Sequence, residues 1–383
     1  MMFTPHATPD SSLYRTSEHD ENSEPTARAD GPDSAGTTDT AAPVRNYLLA
    51  IRAKRFIIAA LTLGAAVAFV ISIVVGPFDV SLGQLWQAVT SPNSVPSNIR
   101  TVVWDLRLPG SVMAVLIGCA LALSGAQMQT ILDNPLAEPF TLGISAAAAF
   151  GGAASIVLGW TVVTSPQFNL AVIAWLASLV AVAIVAGASV WRGAGADTMI
   201  LLGIALVFLF QALLARLQYR ASTEALQQIV FWTMGSLQRA TWLSDAIIAT
   251  ALFIAIPFTV KNNWALTMLR LGDDRAAALG VNTRHLRITT LVVASLLAAS
   301  AVAFAGIIGF IGLVGPHIAR IVVGENFRYF APASMAAGAL LLAGAHAVSI
   351  TIIPGVAVPI GIITALIGVP FFVLIIFSRR RAR

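Results

Sequence analysis

Charge is what this chain of 383 residues has least of. Only 11% of its residues are Asp, Glu, Lys or Arg, against roughly 25% in soluble domains. With 57% hydrophobic residues, a water-facing globule is excluded and an outer surface facing lipid is expected. Cysteine occurs once, as Cys119, which excludes an intrachain disulfide and leaves the redox compartment unread. Lysine occurs only as Lys54 and Lys261, and neither follows a glycine. A phosphate-cradling Gly-x-x-x-x-Gly-Lys-[Ser/Thr] loop is therefore absent, so no ATP chemistry is expected of the chain itself. No His-x-x-x-His or His/Cys cluster occurs, so neither a metal centre nor another cofactor is expected, and no enzymatic constellation is found. Acids within the apolar runs are also scarce. Asp245 stands near a span end and reads as a helix-start carboxylate. That scarcity weighs against a proton-coupled carrier, which commonly needs intramembrane relays.

The charge that is present is unevenly placed. Residues 1–43 hold eight acids against Arg15 and Arg28, and the remainder holds ten acids against 21 bases. The first stretch is rich in Ser, Thr, Pro and Gly, with little to bury, and is expected to be a disordered acidic tail over residues 1–45. It lacks the basic segment leading straight into an apolar core that marks a signal peptide. The first apolar run starts at Phe56, after Arg45, Arg52, Lys54 and Arg55. It is expected to stay as a membrane helix, opening a transmembrane domain over 46–383.

A crossing helix needs about 20 mostly apolar residues. Such runs fall near 56–75, 111–130, 140–159, 169–190, 198–217, 242–260, 288–309, 312–323, 333–350 and 359–377. The expected fold is all-α and polytopic, with about ten transmembrane helices. The stretch 288–323 is too long for one span, and Gly309, Gly312, Gly315 and Pro316 offer places to turn. The short segment 312–323 is therefore expected to be a broken or half-buried helix, tolerated where protein covers its backbone. With both termini in the cytoplasm, the inner segments collect 16 of the 21 bases, including Arg379, Arg380, Arg381 and Arg383. This is the excess that the positive-inside rule expects. The spans are also rich in small residues, such as Gly118, Ala122, Ser124 and Gly125. Such residues let helices approach closely in lipid.

Two loops carry more specific information. After the second span, Pro135 and Pro139 cannot continue a helix, and Asp133 or Asn134 can cap its restart. The loop 261–287 contains Leu271-Gly272-Asp273-Asp274-Arg275-Ala276-Ala277-Ala278-Leu279-Gly280-Val281. It reads as a short helix with acids at its positive start and a glycine at its close. On the cytoplasmic face such a helix is a natural handle for a soluble partner, or else a solvated connector.

From about Arg107 to Arg379 the residues resemble the permease subunits of bacterial ATP-driven importers for iron–siderophore complexes, haem and vitamin B12, the FecCD type. The resemblance is carried by Leu106-Arg107-Leu108-Pro109, by Gly118-x-Ala120-Leu121-Ala122-x-Ser124-Gly125-Ala126-x-x-Gln129, and by Asn134-Pro135-Leu136-Ala137-x-Pro139-x-x-Leu142-Gly143. Further pieces are Trp232-x-Met234-Gly235-Ser236-Leu237, Gly309-Phe310-Ile311-Gly312-Leu313-Val314-x-Pro316-His317-x-x-Arg320 and Pro359-x-Gly361-x-x-Thr364-x-x-x-Gly368-x-Pro370-Phe371-Phe372.

The resemblance implies a type II ABC importer permease-like bundle in the bacterial inner membrane, forming a path as a homo- or heterodimer. It implies two ATP-binding subunits on the cytoplasmic side, a substrate-binding protein outside and no nucleic acid. A ferric siderophore is the first cargo implied, with haem and vitamin B12 open; a secondary, ion-coupled carrier is the rival from another class. Asp273, Asp274, Arg275, Ala276, Leu279 and Gly280 look like the helix that couples to the ATPase. Arg107 looks like an outer arginine that docks the binding protein, and Ala196, Asp197 and Thr198 resemble the inner gate. His317 is taken as structural. This chain departs from the family pattern at Gly110, where a second arginine is common. It departs again at His346 and Ile350, where an Asp and an Arg are common.

Overall fold

A computed structural model describes residues 41–380, apart from 77, 79, 193, 194 and 354. The segment expected to be an acidic tail therefore lies outside the described residues up to residue 40. Contacts divide the chain into residues 1–47 and 48–383. Ala41–Tyr47, the described part of the first unit, is already helical.

In chain order the helices are α1 (Ala41–Val74), α2 (Leu82–Thr90), α3 (Ser97–Thr101, continued by a π-helical turn over Val102–Arg107), α4 (Leu108–Ile131), α5 (Ile144–Leu158), α6 (Pro166–Arg192) and α7 (Ala196–Arg220). They continue as α8 (Thr223–Thr233), α9 (Trp242–Leu269), α10 (Asp273–Ala278), α11 (Thr283–Ala305), α12 (Ile311–Val323), α13 (Phe327–Thr351) and α14 (Ile360–Arg380). No strand occurs among the described residues. Seven of these helical stretches are long and apolar enough to cross a membrane. Three shorter apolar helices, Ile144–Leu158, Ile311–Val323 and Ile360–Val373, fall at the third, eighth and tenth expected spans.

α4 is the centre of the bundle. Ala114, Ile117, Ala120, Leu123 and Ala126 are all fully buried, as expected of a helix apolar on every side. It packs most extensively on α13, and then on α11 and α12. The small residues make that packing close. A Cβ on Gly118 would lie 2.5 Å from the Gly338 carbonyl oxygen of α13, and one on Gly125 would collide with that of Gly312 in α12. Backbones this near admit no side chain, and dispersion contacts between them replace the hydrophobic drive that lipid cannot supply.

The apolar stretch after α11 breaks at residues 306–310, where the sequence offered glycines. The backbone freed at the break is satisfied within the protein. The amide of Ser236 donates to the Ala305 carbonyl at 2.7 Å, that of Gly306 to the Val302 carbonyl at 2.8 Å, and that of Val314 to the Phe310 carbonyl at 2.7 Å. Protein-covered breaks of this kind are the sort a membrane tolerates. His317, on α12, stands edge-on to the Phe371 ring of α14 at 6.4 Å between centroids.

Candidate coupling surface and the Arg107 corner

α10 is six residues long, too short to hold itself together in water. Three contacts fix it. Ala276 is fully buried against the bundle. The Val281 amide closes the turn by donating to the Ala276 carbonyl at 3.0 Å. Arg287, on α11, grips Asp273 with both arms of its guanidinium, Nη1 to Oδ2 at 2.7 Å and Nη2 to Oδ1 at 2.8 Å. A forked, charge-assisted pair fixes orientation as well as distance. Glycines with φ of 95° (Gly272) and 86° (Gly280) bracket the helix, in a backbone region that other residues rarely adopt.

The six sequence-derived residues thus divide by task. Asp273 and Ala276 hold the helix to the bundle, while Asp274, Arg275, Leu279 and Gly280 are exposed. Leu279 is an apolar side chain 51% exposed at the tip. Such a side chain on a pinned, charged helix suits burial against a partner.

Beside α10 lies a second ionic group. Glu325 receives Arg270 Nη2 at 2.6 Å and lies 3.1 Å from Arg320 Nε, and Arg320 Nη2 also donates to Gln129 Oε1 at 2.7 Å. The carboxylate therefore ties the ends of α9 and α12 together, and Arg320 extends the link to α4. Sequence reading passed over Glu325; its signal is that it is a lone acid between Arg320 and Arg328. In the loop joining α4 to α5, burial pushes the Glu138 carboxyl up to about 7, where it stands against Gly312. At the start of α7, Ala196 is half-buried and Asp197 and Thr198 are exposed. Arg284 donates to the Val190 carbonyl nearby in sequence, tying α11 to the end of α6.

Arg107 lies at the other end of α4, and the structure gives it a task the sequence did not suggest. It is 8% exposed. Its Nη1 donates to the Ile73 and Val74 carbonyls at 3.0 Å each, and its Nη2 donates to the Phe78 carbonyl. The first two carbonyls end α1 and the third lies in the loop after it, so the guanidinium ties that loop to the open end of the helix. Next to it, the Trp104 and Trp242 rings meet at a 44° tilt with centroids 6.0 Å apart, and Trp242 Nε1 donates to the Trp104 carbonyl at 3.0 Å. The three departures from the family pattern share this corner. A cavity of about 160 Å³ is lined by Arg107, Gln238, His346 and Ile350 among others. A Cβ on Gly110 would sit 3.3 Å from His346 Nε2, so the small residue at 110 makes room for the imidazole. Asp245, at the start of α9, is 3% exposed with neither carboxylate oxygen bonded. The cap there is made by Thr241 and Ser244 instead.

Comparison with known proteins agrees with this architecture. The family model of the FecCD transport family matches residues 63–378. The hemin transport system permease protein of Yersinia pestis is 34% identical over 310 residues, covering 80% of this chain and 91% of that protein. The molybdate import system permease protein of Haemophilus influenzae is 34% identical over 334 residues, covering 84% and 95%. A solved chain described as an inward-facing conformation of a metal-chelate type ABC transporter superposes with a TM-score of 0.75 at 31% identity. That superposition covers 85% of this chain and 99% of the other. Its family model, its relatives and its helical bundle agree: this chain belongs to the FecCD transport family, as an ABC transporter permease.

Proposed function

We propose that this chain is the membrane subunit of an ATP-driven importer, working as a dimer around a central path. In this reading it carries no catalysis of its own. The α10 end faces the cytoplasm, where two ATP-binding subunits dock, and an extracytoplasmic binding protein delivers the cargo on the other side. The observation that carries the reading is α10 itself, a short helix pinned by Arg287 with Asp274, Arg275, Leu279 and Gly280 left outward. ATP-driven closure of the partner pair pulls on these residues. Their differential binding in the two states biases the bundle between outward- and inward-open forms. Ala196, Asp197 and Thr198 form the inner gate at the head of α7. The N-terminal residues 1–45 form a cytoplasmic acidic tail.

The cargo class is iron held in an organic chelate, a ferric siderophore before haem. Support comes from the similarity to a hemin permease and to a metal-chelate type transporter. The test reconstitutes the chain with its ATPase and binding protein in vesicles. ATP hydrolysis is followed beside uptake of a radioiron-loaded hydroxamate siderophore, haemin or molybdate. Leu279→Asp is expected to abolish uptake while the thermal midpoint holds, because Leu279 is exposed and makes no core contact. Uptake at the normal rate by this variant would remove α10 from the coupling. Uptake driven by a proton gradient without ATPase would overturn the importer reading itself.

A further inference from the structure

A groove of about 540 Å³ opens on the bundle surface between α1 and α13, with α4 as its floor. Ala66 and Phe69 of α1, Leu116 of α4, and Met335 and Ala339 of α13 supply its walls. The hydrogens of its two polar members are already given to backbone carbonyls. The Thr62 hydroxyl donates to the Ile58 carbonyl at 2.9 Å, and the Cys119 thiol to the Met335 carbonyl at 3.6 Å. The groove thus offers a ligand no free donor, and what fits its apolar walls is hydrocarbon.

At the α10 end of the same two helices the chemistry reverses. Lys54 Nζ stands 5.5 Å, and Arg328 Cζ 5.9 Å, from the centroid of one ring, that of Tyr329. Arg52 and Arg55 are exposed on the same turns of α1. Among the described residues none of these four is ion-paired, and the nearby acid, Glu325, is engaged by Arg270 and Arg320. Two cations gathered on one ring repel each other unless an anion joins them. A belt of basic residues at this depth is ordinary; a belt that leads into a dry groove is not.

The dimensions match one leaflet. Lys54 to Phe69 spans about 22 Å at 1.5 Å per residue. Half a bilayer, headgroups included, measures about 20–22 Å. We propose that this face binds an anionic phospholipid of the leaflet at the α10 end, its phosphate on Lys54 and Arg328 and one acyl chain in the groove. Neutral lipids can offer the chain but not the net negative charge. Basic clusters beside membrane helices recognise anionic headgroups on this principle.

The test uses the full chain without its partners, in nanodiscs of phosphatidylcholine doped with phosphatidylglycerol, followed by mild extraction and native mass spectrometry. Because import is not measured, a negative result leaves the proposed function standing, and failure of that function leaves this result readable. Wild type is expected to retain phosphatidylglycerol over phosphatidylcholine by about 30-fold, the product of two cations near the surface. Lys54→Gln combined with Arg328→Gln is expected to erase the preference while still retaining lipid. Ala66→Trp, at an exposed position in the groove wall, is expected to lose retention of both lipids. Equal retention of the two lipids by wild type, or an unchanged preference in the double variant, would overturn the proposal. So would displacement of phosphatidylglycerol by inorganic phosphate at equal concentration, since that marks an anion site with no use for the chain. Recovery of dimers seated on this face with no lipid would assign the groove to a second copy and overturn it as well.

Discussion

Arg107 and Arg287 are equally buried, each 8% exposed, yet they spend their guanidinium groups differently. Arg107 bonds three backbone carbonyls, two at the end of α1 and one in the loop that follows. Arg287 bonds a carboxylate on a six-residue helix. The first arrangement locks the main chain of one corner. The second pins one end of a short element and leaves its other residues free to meet a partner. Burial of an arginine therefore says little about its task until its acceptors are known, because a fork of donors serves a carbonyl cluster and a carboxylate equally well.

The comparison can be broken most forcefully at Arg107. Arg107→Met leaves buried carbonyls without donors, at about 1–3 kcal/mol for each group left unsatisfied. The thermal midpoint is expected to fall by several degrees. Arg107→Lys is the sharper variant, because it keeps the charge and loses the fork. If the corner's role is structural, the midpoint falls with Lys too, and binding-protein association changes only in step with it. If Arg107 is a docking charge, the Lys variant keeps both association and its salt dependence, and the midpoint stays.

A smaller effect is expected at the other arginine. Arg287→Ala frees α10 while most of the bundle is untouched. Because the Asp273 side chain is 45% exposed, water can solvate it after the loss, and the midpoint should move little. Uptake in the reconstituted system is expected to fall roughly tenfold, the effect of about 1.4 kcal/mol on the coupled equilibrium. Faster proteolysis at residues 271–281 would accompany it. Unchanged uptake together with unchanged proteolysis would show that α10 does not need its anchor.

The smallest effect concerns Glu138, close to the same end of the bundle. Its carboxyl rises from the ordinary 4.5 to about 7 through burial, so the native chain holds a proton that the unfolded chain has released between those values. Stability therefore falls as pH rises through that window and stays lower above it. Glu138→Gln is expected to raise the midpoint at about pH 8 and to leave it unchanged at about pH 4. A variant that tracks wild type at both pH values would show that the carboxyl is fully solvated.

The spans were legible because lipid imposes a length. Runs near 111–130, 242–260 and 312–323 reappear as Leu108–Ile131, Trp242–Leu269 and Ile311–Val323, since each is bounded by residues that cannot stay in hydrocarbon. The short helices α2 and α8 escaped, being neither long nor wholly apolar. α10 was legible from its acids and flanking glycines, which are local signals. The division of labour within it was not, because Asp273 meets Arg287 only after the chain has turned through residues 279–282. The bonds of Arg107 were not legible either. Its acceptors lie 29 to 34 residues earlier in the chain, beyond the reach of any local signal. The departures at Gly110, His346 and Ile350 were visible singly, and only the fold shows them around one corner.

By itself the sequence determined the solvent of this protein, the places of its apolar helices along the chain, and the position of its short exposed helix. Each follows from composition, run length or local chain geometry, which do not depend on distant partners. Tertiary structure alone decided what the few charged residues do. In a chain with so little charge, every arginine must find an acceptor or an interface, and which one it finds depends on helices brought together by glycine contacts far apart in sequence. That is why Arg107 closes a corner, Arg287 anchors a short helix, and Lys54 and Arg328 gather beside an apolar groove.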